Sequence, residues 1–233
     1  MDMVNQTYIV NSKKYQVVAY SVMGGGKLEN QDSFNVYADG SQLIVVVADG
    51  LGSATFSKEG SSKIVDITTK ILSADTNDES IALTILKEWK SAVGGNLNLY
   101  DTTVKFVKIK DEEITYGGIG DGWIAINLNG EFISLCADNI FSNQTDSILS
   151  FNLKDKFLIK RNKKPIKNLL ISTDGFSEDM DKENGNKFLD DVYLQIREQP
   201  NIFFEELKKT LEHWPVESNR DDKTVVFIQE RRK

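Results

Sequence analysis

Cysteine and histidine are almost absent. The chain of 233 residues has one of each, Cys136 and His213. A single cysteine forms no intrachain disulfide. The two residues together fall short of the three or four ligands of a Cys/His zinc site. A Ser-His-Asp triad would rest on His213 alone. Only three prolines occur, Pro165, Pro200 and Pro215. With no Ser/Gly-rich tract and no internal repeat, no linker is read, and residues 1–233 are expected to form one domain. Positive charge is in deficit, 28 Lys+Arg against 35 Asp+Glu, a net charge of −7. That balance argues against a nucleic-acid partner, which calls for a basic face to neutralise phosphates. The longest apolar run, Leu43–Ala48, is far short of the ~20 residues that span a bilayer, so no membrane partner is expected. Met1-Asp2-Met3-Val4 shows no basic start before an apolar core, so no signal peptide is read. A reducing, cytoplasmic setting is the expectation.

What is present suits a folded chain. The hydrophobic fraction of 40% is enough to build a core against chain entropy. Tyr15–Ser21, Ser33–Ala38 and Gln42–Ala48 read as strands, the last two joined by a hairpin turn at Asp39-Gly40. Leu43–Ala48 is continuous rather than alternating, which marks a strand buried on both faces. Two helical patterns follow, Ser57–Ser73 with Ile64, Ile67 and Ile71, and Ser80–Val93 with Ile81, Ile85, Trp89 and Val93. Further strands are expected at Thr102–Ile109, Glu113–Gly118, Trp123–Asn127, after Asn129-Gly130, at Leu169–Thr173 and at Thr224–Gln229. Helices are expected at Lys187–Gln199 and Phe203–Trp214. Strands and helices come in blocks, which predicts an α+β fold with antiparallel sheets covered by helices rather than a doubly wound parallel sheet.

Aspartates recur at the strand ends. Val46-Val47-Ala48-Asp49-Gly50 closes the most apolar strand, and Leu170-Ile171-Ser172-Thr173-Asp174-Gly175 repeats the pattern. Gly120-Asp121-Gly122 lies at a glycine-rich strand junction. Asp32 precedes Phe34, and Asp221-Asp222 precedes Thr224-Val225-Val226-Phe227. Any one Asp-Gly is an ordinary turn signal, as at Asp39-Gly40. Asp49 and Asp174 differ, because neither is followed by a strand that completes a hairpin. A carboxylate ending a buried strand is costly unless something positive meets it. Divalent cations meet several at once. Carboxylate and carbonyl oxygens suit the hard ions Mg²⁺ or Mn²⁺. Two such ions polarise a phosphoryl oxygen and generate hydroxide, which hydrolyses a phosphate ester without His or Cys.

Asn30-Gln31-Asp32, Ala48-Asp49-Gly50-Leu51-Gly52, Gly120-Asp121-Gly122, Ser172-Thr173-Asp174-Gly175 and Arg220-Asp221-Asp222-Lys223-Thr224 follow the order seen in the metal-dependent Ser/Thr phosphatases of the protein phosphatase 2C type. The chain resembles that family from about Lys27 to its C-terminus, and most resembles its short, stand-alone bacterial members. Gly60-Ser61, early in the first long helix, is similar too. The resemblance implies a four-layer α-β-β-α sandwich, with two antiparallel sheets flanked by helix pairs. It also implies a two-metal centre of Mn²⁺ or Mg²⁺, with a bridging hydroxide attacking phosphoserine or phosphothreonine in a protein substrate. In that reading Asp49 bridges the metals and Gly50 offers its carbonyl to one of them. Asp174 and Asp221 bind the other, Asp32 acts through metal-bound water, and Asp121 with Asp174 marks a third, weaker site. A cognate Ser/Thr kinase is the implied counterpart.

Four positions depart from the family pattern. Lys27 stands where an Arg commonly grips the substrate phosphate, and a lysine is a point charge without the bidentate fork. Leu51 stands where many members carry a His, so leaving-group protonation falls to water at the metals. Gln31 replaces an acid, and Asp222 an Asn.

Other signals have plainer readings. Gly24-Gly25-Gly26-Lys27 lacks the spacing of a nucleotide loop and is expected to bring Lys27 close to the site. Asp179, Asp181 and Glu183 miss the glycine and final Glu of a calcium loop. Lys154–Lys167 is a solvated face, or a docking patch for acidic segments. His213 is a helix end, Cys136 a small hydrophobe and Trp89 part of a core stripe. Residues 137–165 form a variable region near the site. Two other functions compete with the leading one, a non-catalytic phosphoprotein-binding module and a hydrolase of small phosphate esters.

Overall fold

The run Leu43–Ala48 is apolar throughout because it has two faces to bury. Ile44, Val46 and Ala48 pack toward helices, while Val45 and Val47 pack toward a second sheet. The computed structural model describes residues 6–11, 14–74, 78–136 and 145–231. In chain order the strands are β1 (Gln6–Asn11), β2 (Tyr15–Val22), β3 (Asp32–Ala38), β4 (Gln42–Asp49), β5 (Val104–Lys110), β6 (Glu113–Ile119), β7 (Trp123–Leu128), β8 (Glu131–Leu135), β9 (Leu158–Asn162), β10 (Ile166–Ser172) and β11 (Lys223–Glu230). The helices are α1 (Ser57–Ser73), α2 (Asp78–Val93), α3 (Leu153–Lys156), α4 (Asp174–Ser177), α5 (Gly185–Glu198) and α6 (Pro200–Glu212).

The strands form two antiparallel sheets. One has the order β1-β2-β11-β10-β7-β8, the other β3-β4-β5-β6-β9. Side-chain alternation sorts each strand between layers. In β11, Val226 and Ile228 join the core between the sheets, whereas Val225 and Phe227 face α5 and α6. Ile64, Ile85 and Trp89 of α1 and α2 cover the outer face of the five-stranded sheet. The result is the four-layer α-β-β-α sandwich, with three apolar seams.

The hairpin at Asp39-Gly40 joins β3 to β4 in direct register, and α1 spans the residues its periodicity predicts. Trp89 is fully buried and donates its indole N–H to the Gly60 carbonyl. A Cβ on Gly60 would lie 1.8 Å from the Tyr100 carbonyl oxygen. Gly60→Ala must therefore push backbone apart, and overpacking of this kind costs about 3 kcal/mol. We expect Tm to drop by roughly 5–10 °C, read by thermal melting of the purified variant.

Two strands lie outside the sequence expectations. β1 and β9 are edge strands, each bonded to one neighbour. Much of β9 is exposed, so its residues show no apolar period. It lies inside the lysine-rich stretch. Lys156, Arg161, Lys164 and Lys167 there pair with Asp146, Glu113, Glu131 and Asp190, surface pairs that contribute little stability. The last helix starts at Pro200, three residues before the expected Phe203, because proline suits the first helical position. Of the variable region, residues 137–144 lie outside the described residues. Among the described residues no helix is long and apolar enough to cross a membrane.

Candidate metal centre

The antiparallel order brings one end of each sheet together. Asp32 opens β3 and Asp49 closes β4, and the two are direct cross-strand partners. Like charges placed opposite in this way are destabilising. Asp121 follows β6, and Asp174 opens α4 directly after β10. Asp221 and Asp222 lead into β11, whose start pairs with the end of β10. Five motifs spread over most of the chain thus lie near enough for Asp32, Asp121, Asp174 and Asp221 to act by charge on Asp49. A bond across the two sheets fixes the arrangement: Thr173 Oγ1 donates to Asp32 Oδ2 at 2.7 Å.

Each acid is held by its own neighbours. Asn30 Oδ1 accepts the Asp32 N–H at 2.9 Å. The Asp49 N–H donates to Thr103 Oγ1, and its carbonyl accepts from Thr102 Oγ1 and the Thr103 N–H. Gly50 is tied to the opposite loop by its N–H on Gln31 O. Asp174 Oδ1 accepts the N–H of Gly175, and Asp121 Oδ2 accepts from Thr145 Oγ1 at 2.6 Å.

The electrostatics are those of an anion cluster. Burial, aided by Asp222, pushes the Asp32 carboxyl up to about 7, although the bond from Thr173 opposes the shift. Burial and then Asp121, Asp221 and Asp32 push Asp174 up to about 8. Asp49 rises well above the usual carboxylate range through burial and then Asp32, Asp174, Asp221 and Asp121. Among the described residues no three acids are already gathered into a ready-made ligand cluster. Closer approach needs a cation between them. Two observations fit a hard divalent ion. The donor set is all oxygen, and Asp32 Oδ1 and Asp121 Oδ1 are buried without a hydrogen-bond partner.

Lys27 reaches this cleft, with its ammonium on Asp221 and 3.0 Å from Asp222 Oδ2. Desolvation lowers its pKa, but bonding to Asp221 and the charge of Asp222 raise it well above the usual lysine value. The glycines before it do bring it close: the Gly24 N–H donates to Asp222 Oδ1 at 2.8 Å. Gln31 has a structural part, its side chain donating to Ser57 Oγ. His213 sits at the C-cap of α6, its Nδ1 3.1 Å from Lys209 O.

Four more residues belong to the surroundings of the cleft. Lys58 donates to the Asp32 carbonyl at 3.1 Å. The carboxyl of Glu178 is raised by partial burial and by Asp221 and Asp121. Thr145 holds Asp121, as above. Lys105 is buried on β5 and shifted down to about 8 by desolvation, against the pull of Asp121. No motif marks them. Lys105 comes from β5, Lys58 from α1, Glu178 from the end of α4 and Thr145 from a loop, so tertiary packing gathers them rather than any local pattern.

Comparison with known proteins agrees with this geometry. The family model of protein phosphatase 2C matches residues 25–214. The phosphoserine phosphatase RsbX of Bacillus subtilis (strain 168) is 28% identical over 113 residues, 48% of this chain. The match spans 53% of that relative, so the chain aligns to about half its length. In fold, a crystal structure of RsbX in complex with magnesium superposes with a TM-score of 0.68 at 21% identity, covering 97% of this chain and 100% of that one. The catalytic domain of the phosphatase PstP in complex with two manganese ions gives 0.67 at 14% identity, covering 94% and 99%. A serine/threonine phosphatase of S. agalactiae gives 0.66 at 16% identity, covering 93% and 100%. The matched span takes in every acid of the cleft except Asp221 and Asp222, and the sandwich around them is shared from end to end: the chain belongs to the protein phosphatase 2C family.

Proposed function

We propose that residues 1–233 act as one phosphatase domain that hydrolyses phosphoserine and phosphothreonine in proteins, using two Mn²⁺ or Mg²⁺ ions. The observation that carries this reading is that Asp32, Asp121, Asp174 and Asp221 all act by charge on the buried Asp49, with two buried carboxylate oxygens left unpartnered. Relatives support the metal, since RsbX was solved with magnesium and PstP with two manganese ions. Asp49 and the Gly50 carbonyl would help hold the ions. Asp174 and Asp221 would bind as well, Asp32 would contribute through water, and Asp121 with Asp174 would offer a third, weaker position. Such ions supply Lewis acidity, drawing charge from a phosphoryl oxygen and lowering the pKa of water. The protein's part is positioning. Asn30 and Thr173 orient Asp32, Thr102 and Thr103 fix the Asp49 backbone, and Thr145 orients Asp121. Lys27 places a positive charge at the mouth for the substrate phosphate, and Leu51 moves no proton. Substrates then come from a Ser/Thr kinase, in a cytoplasmic setting.

A phosphothreonine peptide is expected to turn over with Mn²⁺ and to stop when EDTA is in excess. Full activity in chelator would overturn the reading. Tight peptide binding without turnover at saturating Mn²⁺ would favour a binding module. Turnover of nucleotides or sugar phosphates but not peptides would favour a small-ester hydrolase.

A further inference from the structure

Asp222 is the least explained acid of the cleft. Its side chain is fully buried, unlike the neighbouring Asp221, and it carries no role in the metal scheme above. It accepts three hydrogen bonds, all from one loop. Oδ1 takes the Gly24 N–H at 2.8 Å, while Oδ2 takes the Gln31 N–H at 2.8 Å and the Lys27 ammonium at 3.0 Å. The two amides are the ends of the loop, and Lys27 is near its middle. Gly24 also packs so tightly on the strand entry that a Cβ there would lie 2.1 Å from the Arg220 carbonyl. One carboxylate therefore closes residues 24–31 into a ring and, together with Asp221, holds the Lys27 ammonium at the edge of the cleft.

A lysine needs such a partner. Its charge sits at the end of a flexible stem, and an unrestrained ammonium samples many positions. A buried carboxylate that removes this freedom lets the same charge act repeatedly at one point. We propose that Asp222 is a positioning residue for phosphate recognition, setting Lys27 and its loop where the phosphate of the substrate enters. This rests on the phosphatase reading for its substrate, but not on turnover for its proof.

The test is a double-mutant cycle on binding of inorganic phosphate to the Mg²⁺-loaded protein, followed by ³¹P line shape. Lys27→Ala and Asp222→Asn are each expected to weaken phosphate binding about tenfold, the usual scale of one charge-assisted hydrogen bond. The double variant is expected to be no weaker than Lys27→Ala, because both changes remove one interaction. Asparagine keeps the shape of the side chain, and Mg²⁺ affinity, measured separately by calorimetry, should stay within about threefold of wild type. The idea is overturned if Asp222→Asn leaves phosphate binding unchanged, if the two effects multiply, if Mg²⁺ affinity falls in step with phosphate affinity, or if the wild type binds no phosphate. A wild type that binds phosphate with the expected coupling, yet never hydrolyses a phosphopeptide, would refute the phosphatase reading and leave this inference standing.

Discussion

Asp174→Asn is expected to lower turnover of a phosphothreonine peptide in Mn²⁺ by roughly a thousandfold, since loss of a metal's charge stabilisation costs several kcal/mol of the barrier. Asp49→Asn should do the same. The two acids occupy different sheets' ends, one closing β4 and one following β10. A shared phenotype would therefore report one centre, not two independent sites. The same substitutions carry an opposite expectation for stability. Asp174 is raised to about 8 by burial and by Asp121, Asp221 and Asp32, so the ionised group is held against its preference. Asparagine removes that charge. In chelator, Asp174→Asn should melt above the wild type. A variant both inactive and less stable would show that Asp174 is held for its packing, contrary to the site proposed.

The second large effect is on pH. In the unfolded chain these carboxyls titrate near the ordinary value of 3.8, whereas in the fold Asp32 titrates at about 7 and Asp174 at about 8. The native state therefore binds more protons across that window. Groups whose pKa is raised by folding contribute stability that is fully present below the unfolded value and lost as pH climbs through the folded one. Metal-free protein should thus lose roughly 5–10 °C of Tm between pH 5 and pH 8. Mn²⁺ competes with the same protons, so its apparent affinity should weaken about tenfold or more from pH 8 to pH 6. Melting curves across pH in EDTA, beside calorimetric Mn²⁺ titrations, check both. The net charge of −7 also disfavours the compact state at high pH. Asp174→Asn separates the causes, because it should flatten the slope if the cluster is responsible.

The position of β9 shows where sequence reading stops. An edge strand with one neighbour and mostly exposed side chains has neither an apolar run nor a clean alternation to announce it. The opposite holds for β4, where burial on both faces left a continuous apolar run that marks the strand and its end. The acids at Asp49 and Asp174 were legible for a related reason. A charge abutting a buried strand contradicts the local pattern, and contradictions of that kind concentrate at functional sites.

Length, charge, near-absence of His and Cys, the two buried strands ending in Asp-Gly and the order of five acidic motifs are properties of the chain read in one dimension. They suffice for the fold class and for proposing oxygen-based metal chemistry, because each follows from residue type and local period. The partnerships do not. Asp32 faces Asp49 through strand register, Thr173 reaches Asp32 across 141 positions, and Asp222 gathers Gly24, Lys27 and Gln31 from 191 to 198 positions away. Such contacts depend on how two sheets close over one core, and no pattern in neighbouring residues records that.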